Sequence, residues 1–330
     1  MWFRNLTGFN EENPEQVRNN FEIDENKLIS KVNRAEYTYG TLEIPKLEDL
    51  RIITSKTKYN SKIKISELVG DIQDIHKDYS NKGALFQAAS QFNLLEMINP
   101  GVTPERGVDI YENDKTQGPA CAITCGAGTI YRNYFAKVGN QIGQTENNQI
   151  DCLQDIGIEL KNENADLWKM TNGYVFPNSI EALKNISEQI KSKPEDDYEI
   201  LKGKLRIGLQ WDTEVTLSGN KQLVSQAYCS ALPVSYSQIP SIYWEDFSRM
   251  VLEATYEATL WAALINYEKT KNNNVFLTLV GGGAFGNKME WIFDSLKKSM
   301  NKFSDTPLNI HLVSFGGSKP NIIEFIKQIN

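Results

Sequence analysis

Histidine is almost missing from the 330-residue chain: His76 and His311 are the only two, and they stand far apart in sequence. Cysteine is scarce as well, at Cys121, Cys125, Cys152 and Cys229. The C-x-x-x-C spacing of the first pair matches neither a redox C-x-x-C nor a zinc cluster, so the chain is expected to fold without metal or disulfide in a reduced, intracellular setting. No apolar segment approaches the ~18 residues of a membrane span, and the opening MWFRNLTGFN lacks the basic start and long apolar centre of a signal peptide. Those absences argue against membrane insertion and make the cytoplasm the expected compartment. An excess of positive charge is also lacking. With 35 Lys and Arg against 42 Asp and Glu, the formal net charge is -7. No RNP-like strand or concentrated basic helix occurs, which speaks against a nucleic-acid binder and leaves local basic pockets for a small anion open.

What is present alternates. Residues 1–35 are polar and rich in Asn and Glu and read as an N-terminal extension, while residues 36–330 read as one domain, with an insertion within 137–200. ALFQAASQFNLLEMI (84–98) carries good helix formers with apolar residues at three- and four-residue intervals and predicts a helix; PACAITC (119–125) predicts a buried strand. LRIGLQW (205–211) and NIHLVSF (309–315) predict strands, QAYCSALPVSY (226–236) a compact segment, and 245–270 a long amphipathic helix. This order implies an α/β layered fold with a central mixed β-sheet flanked by helices, since several early strands are short and closely spaced.

The most informative stretch is VFLTLVGGGAFGNKMEWIF (275–293), a strand, a glycine cluster and a helix start. Glycines allow close approach to a ligand, and the free N–H groups at a helix start favour anions, so Gly281, Gly282, Gly283, Ala284, Phe285, Gly286 and Asn287 are candidates for holding a phosphate or diphosphate. Gly281, Gly283 and Gly286 fit G-x-G-x-x-G, but late in the chain; Asn287 stands where a P-loop needs lysine. A tight turn whose glycines serve packing alone is the competing reading. Phe285, a large apolar residue in such a loop, favours a ligand. Three further groups carry polar chemistry: Phe86, Gln87, Asn93 and Glu96 in the 84–98 segment; Glu112, Asp114 and Gln117 before PACAITC; and Trp211, Asp212 and Glu214 after LRIGL. Each also reads as an ordinary capped, solvated or packed segment. The aromatic residues Tyr131, Tyr134, Phe135, Trp168 and Tyr174 read either as a recognition surface or as a subsidiary core.

Together these blocks resemble the macrodomain superfamily. G-G-G-A-F-G-N after a strand resembles the loop that cradles the diphosphate of ADP-ribose. Residues 75–96, Y-E-N-D-K-T-Q-G-P (111–119) and Q-W-D-T-E-V (210–215) resemble poly(ADP-ribose) glycohydrolase-like members and a branch of bacterial effectors that remove ADP-ribose from arginine. The glycine triplet followed by Q-E-E of the glycohydrolases does not occur; Gln87 and Glu96 offer the nearest chemistry. The resemblance covers roughly residues 60–325 and implies a protein ADP-ribosylhydrolase without metal or cofactor, taking an ADP-ribosylated protein as substrate and ADP-ribose as product. It places Asp212 first as the carboxylate at the ribose, with Glu214 orienting water and Asp114 as the alternative, helped by Glu112 and Gln117. A non-catalytic ADP-ribose reader and a hydrolase of a different adduct are the other readings.

Overall fold

The computed structural model describes residues 1–54 and 58–329. Its centre is a seven-stranded sheet of β1 (Thr41–Glu43), β2 (Lys64–Val69), β3 (Leu85–Ala89), β4 (Gly208–Glu214), β5 (Leu223–Cys229), β6 (Asn274–Leu277) and β7 (Asn309–Ser314). They lie in the spatial order β1-β4-β5-β3-β6-β7-β2. Strands β5, β3, β6, β7 and β2 run parallel; β4 runs antiparallel to both β5 and β1, so the sheet is mixed.

Nine helices of the described chain matter for the site: α1 (Leu47–Thr54), α2 (Ile72–Lys77), α3 (Gln117–Thr124), α4 (Gly126–Tyr134), α5 (Ile180–Lys191), α6 (Glu195–Gly203), α7 (Glu245–Thr270), α8 (Met289–Lys302) and α9 (Pro320–Ile329). Alternation along the central strands shows the two covered faces. On β3, Gln87 points to α7, where its amide donates to Thr259 Oγ1 at 2.9 Å, while Phe86 points to α2 and stacks on His76 at 3.6 Å. Phe86 also stacks on Phe276 of β6, which in turn stacks on His311 of β7. Both histidines thus serve one ring column. Burial pushes the His76 imidazole down to about 4.

Two expected elements are replaced. Residues 84–98 contain β3 followed by a buried loop instead of a helix. A strand covered on both faces is buried at nearly every position, so its period of two is erased, and the helix-forming Ala and Leu reflect burial between neighbours. PACAITC lies in α3 instead of a strand. Gly118, Pro119, Cys121, Ala122, Ile123 and Thr124 are all buried, and a short run apolar all round gives no period to tell helix from strand. By contrast, 245–270 forms α7 with the expected ends, and β7 forms where expected.

The N-terminal residues are packed rather than dangling. Trp2, Phe3, Leu6, Phe9, Val17, Phe21 and Leu28 join Val108, Ile110, Tyr111, Ile123, Ile130 and Tyr134 in a second apolar cluster against α3 and α4. Within 137–200, α5 and α6 pack on α7, and a hairpin pairs Trp168–Thr171 with Tyr174–Pro177.

Candidate active site

The loops leaving the C-terminal ends of β3, β6 and β7 enclose a crevice of about 380 Å³. That edge of a parallel sheet is where loops converge and where ligands of open α/β sheets sit. A larger concavity, about 550 Å³, lies at the opposite edge among Lys58, Tyr59, Lys62, Trp261, Lys302 and Asp305. It is open, and its one carboxylate is paired with Lys62. The chemistry converges in the smaller crevice.

One wall is the glycine loop. Gly281 and Gly286 adopt φ of 78° and 70°, conformations that glycine takes without penalty. The loop is anchored at several points: Asn287 N–H donates to Gly281 O at 2.9 Å, Asn287 Nδ2 to Leu232 O at 2.8 Å, and Ser235 N–H to Phe285 O at 3.0 Å. The N–H groups of Gly281, Gly283, Ala284 and Phe285 find no acceptor among the described residues. Unclaimed donors on an anchored loop are groups that can hold an anion. Lys319, before α9, is the cation in the lining. Phe285 closes one side against Tyr174 and Tyr236, with ring centroids 5.4 and 5.6 Å away. Tyr174 comes from the hairpin of the 137–200 segment and donates its hydroxyl to Met97 O at 2.9 Å.

The other wall carries acids. After β3 the chain makes a tight buried loop. Gln91 N–H donates to Leu95 O, Gln91 Oε1 accepts from Met97 N–H at 2.9 Å, and Asn93 Oδ1 accepts from Leu95 N–H at 3.1 Å. This loop brings Glu96 to the crevice at 4% exposure, with its N–H donated to the Tyr111 hydroxyl. Its Oε1 has no partner among the described residues, and its Oε2 lies so close to Gly118 that a Cβ there would be 2.3 Å away. Burial holds the Glu96 carboxyl well above the usual carboxylate range; Arg132 opposes this and Asp114 adds to it. Asp114, half-buried beside it, accepts from Thr116 N–H at 2.8 Å. Two carboxyl groups side by side in unlike surroundings can divide the holding of a proton from the stabilisation of charge.

The expected residues therefore fall into two groups. Glu96, Asp114, Gln117, Gly281, Gly282, Gly283, Ala284 and Phe285 line the crevice together. The others lie outside its lining. Phe86 and Gln87 are fully buried around β3. Asn93 is consumed by Leu95 and Gln149, Glu112 accepts from Trp2 N–H, and Gly286 and Asn287 shape the glycine loop from behind. Asp212, Glu214 and Trp211 lie at the other edge of the sheet. Because β4 is antiparallel, its end at Glu214 pairs with Leu223, where β5 begins, away from the parallel strands' C-terminal ends. Asp212 is exposed at a bulge with φ of 51°, Glu214 accepts from Thr38 N–H at 3.0 Å, and Trp211 donates to Glu43 at 2.7 Å. The bulge also sends the two acids into different surroundings. Ser90, which the sequence groups with Phe86, Gln87, Asn93 and Glu96, also lines the crevice; Tyr236, Gln91 and Lys319 join it without being sequence candidates, and of these only Lys319 has a local signal, a second strand–glycine turn at Gly316 and Gly317.

No family model matches the chain, and no curated protein matches it. Among solved structures it is similar to the poly(ADP-ribose) glycohydrolase of Thermomonospora curvata, at 8% identity and TM-score 0.45 over 96% of this chain and 94% of that one. The Deinococcus radiodurans glycohydrolase in complex with ADP-ribose gives 10% identity and 0.44 over 87% and 93%. The Oceanobacillus iheyensis macrodomain gives 10% and 0.35 over 88% and 96%. These likenesses are weak, and the functional reading stands on the crevice itself. Among the described residues no group of three His, Cys, Asp or Glu could hold a metal ion, and no helix is long and apolar enough to cross a membrane. All four cysteines are free and buried.

Proposed function

We propose that the protein is an ADP-ribosylhydrolase that cleaves the N-glycosidic bond at C1″ of ADP-ribose attached to a protein arginine. The observation that carries this reading is one crevice with four unclaimed backbone N–H groups on one wall and the Glu96–Asp114 acid pair on the other. Donors on a rigid loop suit the diphosphate, and the Phe285, Tyr174 and Tyr236 rings suit a ribose or base face.

As the C1″–N bond breaks, its electron pair leaves with the guanidine and positive charge grows on the ribose carbon and ring oxygen. Asp114 opposes that charge and takes the proton of the attacking water, which the departing guanidine finally carries. Glu96 in its uncharged form donates to a ribose hydroxyl and fixes the sugar. A preorganised carboxylate facing a developing cation lowers the barrier more than it stabilises the bound substrate.

The test is Asp114→Asn on purified protein. ADP-ribose binding by calorimetry should persist, while release from an arginine-modified protein falls by roughly 10²–10⁴. Binding without release by the wild type, on arginine-, serine- and glutamate-linked substrates alike, would make the protein a reader. Absence of binding would end the ADP-ribose assignment altogether.

A further inference from the structure

Arg132 is a buried cation that this scheme leaves without a task. It sits on α4 with no exposed surface, its guanidinium 3.5 Å over the Tyr228 ring. Nε donates to Leu94 O at 3.2 Å and Nη2 to Thr129 Oγ1 at 3.0 Å, while Nη1 has no acceptor among the described residues. A guanidinium holds its charge across the pH range in which proteins stay folded, so a donor left unpaired in the interior carries a desolvation cost and calls for an explanation.

That field reaches Glu96, which lies in the same part of the interior and likewise has an unpaired atom, Oε1, among the described residues. Between them runs the loop that Arg132 grips at Leu94, a non-glycine residue at φ 64°. Such a conformation persists only where the surroundings impose it. Here Gly208 leaves the space for the side chain, since a Cβ at that position would lie 2.5 Å from Leu94 Cδ1. Two residues further on comes Glu96.

We infer that Arg132 is a positioning residue for Glu96: through the Leu94 carbonyl it pins the strained loop that carries Glu96 into the crevice. The role in turnover rests on the hydrolase reading above; the coupling between the two side chains does not. The groups that share electrostatic contact with Glu96 are Asp114 from its loop, Tyr111, Cys121 of α3, Tyr174 of the hairpin, Tyr228 of β5 and Arg132 of α4. Arg132 is the cation among them. Without it, Asp114 and burial act alone, and Glu96 should lose its proton at higher pH.

The experiment is a ¹³C NMR titration of the Glu96 carboxyl, assigned with Glu96→Gln, in wild type and Arg132→Met. The midpoint should rise by about 1 unit or more in the variant, and the pH limb of kcat should follow it. A folded Arg132→Met chain with an unmoved midpoint overturns the proposal. Because that variant can fail to fold, the wild-type Arg132 Nε resonance supplies a second reading: it should shift with the Glu96 midpoint and lose that shift in Glu96→Gln. An Arg132 signal blind to Glu96, or a Glu96 that never titrates in the stable pH range, overturns it equally. Coupled titrations in a protein that binds no ADP-ribose would keep the pair and discard the hydrolase.

Discussion

Gly283 separates the cost of folding from the cost of binding. A Cβ built on it meets nothing within 4 Å, and its φ lies outside the left-handed region that Gly281 and Gly286 occupy. Gly283→Leu should therefore leave the fold intact, and a smaller unfolded-state entropy could add about 0.4–1 kcal/mol of stability. The new side chain would project where the loop lines the crevice, between the N–H groups of Gly283 and Ala284 and any anion. Each hydrogen bond to a charged oxygen contributes ~1.5–3 kcal/mol, so losing two should weaken ADP-ribose binding by ~3–6 kcal/mol, or roughly 10²–10⁴ in Kd. Calorimetric titration measures the affinity and thermal melting checks the fold. Gly286→Ala is the contrasting control: its Cβ would lie 1.7 Å from Ser235 Oγ at φ 70°, so it should lower the melting temperature. Unchanged affinity in a folded Gly283→Leu protein would refute the cradle.

The remaining expectations concern acids away from the crevice lining. Glu11 accepts from Tyr134 Oη at 2.7 Å and Asp109 N–H at 2.5 Å, and burial lifts its carboxyl from 4.5 to about 7 against those bonds. A folded pKa above the unfolded one means that the native state holds the extra proton between those values. Stability should thus fall by up to ~3 kcal/mol as pH rises from 4.5 to 7, and Glu11→Gln should flatten that slope in denaturant titrations at stepped pH. A slope identical in the variant would assign the effect elsewhere. Asp212→Ala should leave ADP-ribose release within about twofold of wild type, because Asp212 sits at the far edge of the sheet, whereas loss of a proton-transferring group costs ~10²–10⁴. A hundredfold drop in the same release assay would move the chemistry out of the crevice.

What could be read from the chain was what is local. The glycine loop announces itself because strand, glycines and helix start are contiguous in sequence, and α7 does so because its apolar face repeats over 26 residues. β3 and α3 were exchanged in type because both are buried nearly all round, which removes the periodicity that distinguishes them. The acids at 212 and 214 stand two residues apart, a spacing that puts both on one side of a continuing strand, and the bulge at Asp212 breaks that continuity. Strand direction is invisible in sequence, and β4 runs the other way. Tyr174 reaches the crevice from a segment whose own pattern gave no hint of where it folds back.

Gln87 shows why a residue of the right chemistry can matter without touching a ligand. Strands β3 and β6 pair directly, so the acid loop and the glycine loop leave adjacent strands at the same edge. Gln87 fastens both exits. Its backbone carbonyl accepts from Gln117 Nε2 at 2.7 Å, and Gln117 Oε1 returns the contact by accepting from Ala89 N–H, which locks the first turn of α3 beside Glu96. Its side-chain Oε1 accepts from Thr278 N–H at 3.3 Å, where the glycine loop begins, while Nε2 is held by Thr259 of α7. One buried amide thereby sets the distance between the anion cradle and the acids. On the proposed hydrolase reading, where a diphosphate and a C1″ carbon are joined by a fixed number of bonds, that spacing would itself be a specificity element, built into the core and not into the lining.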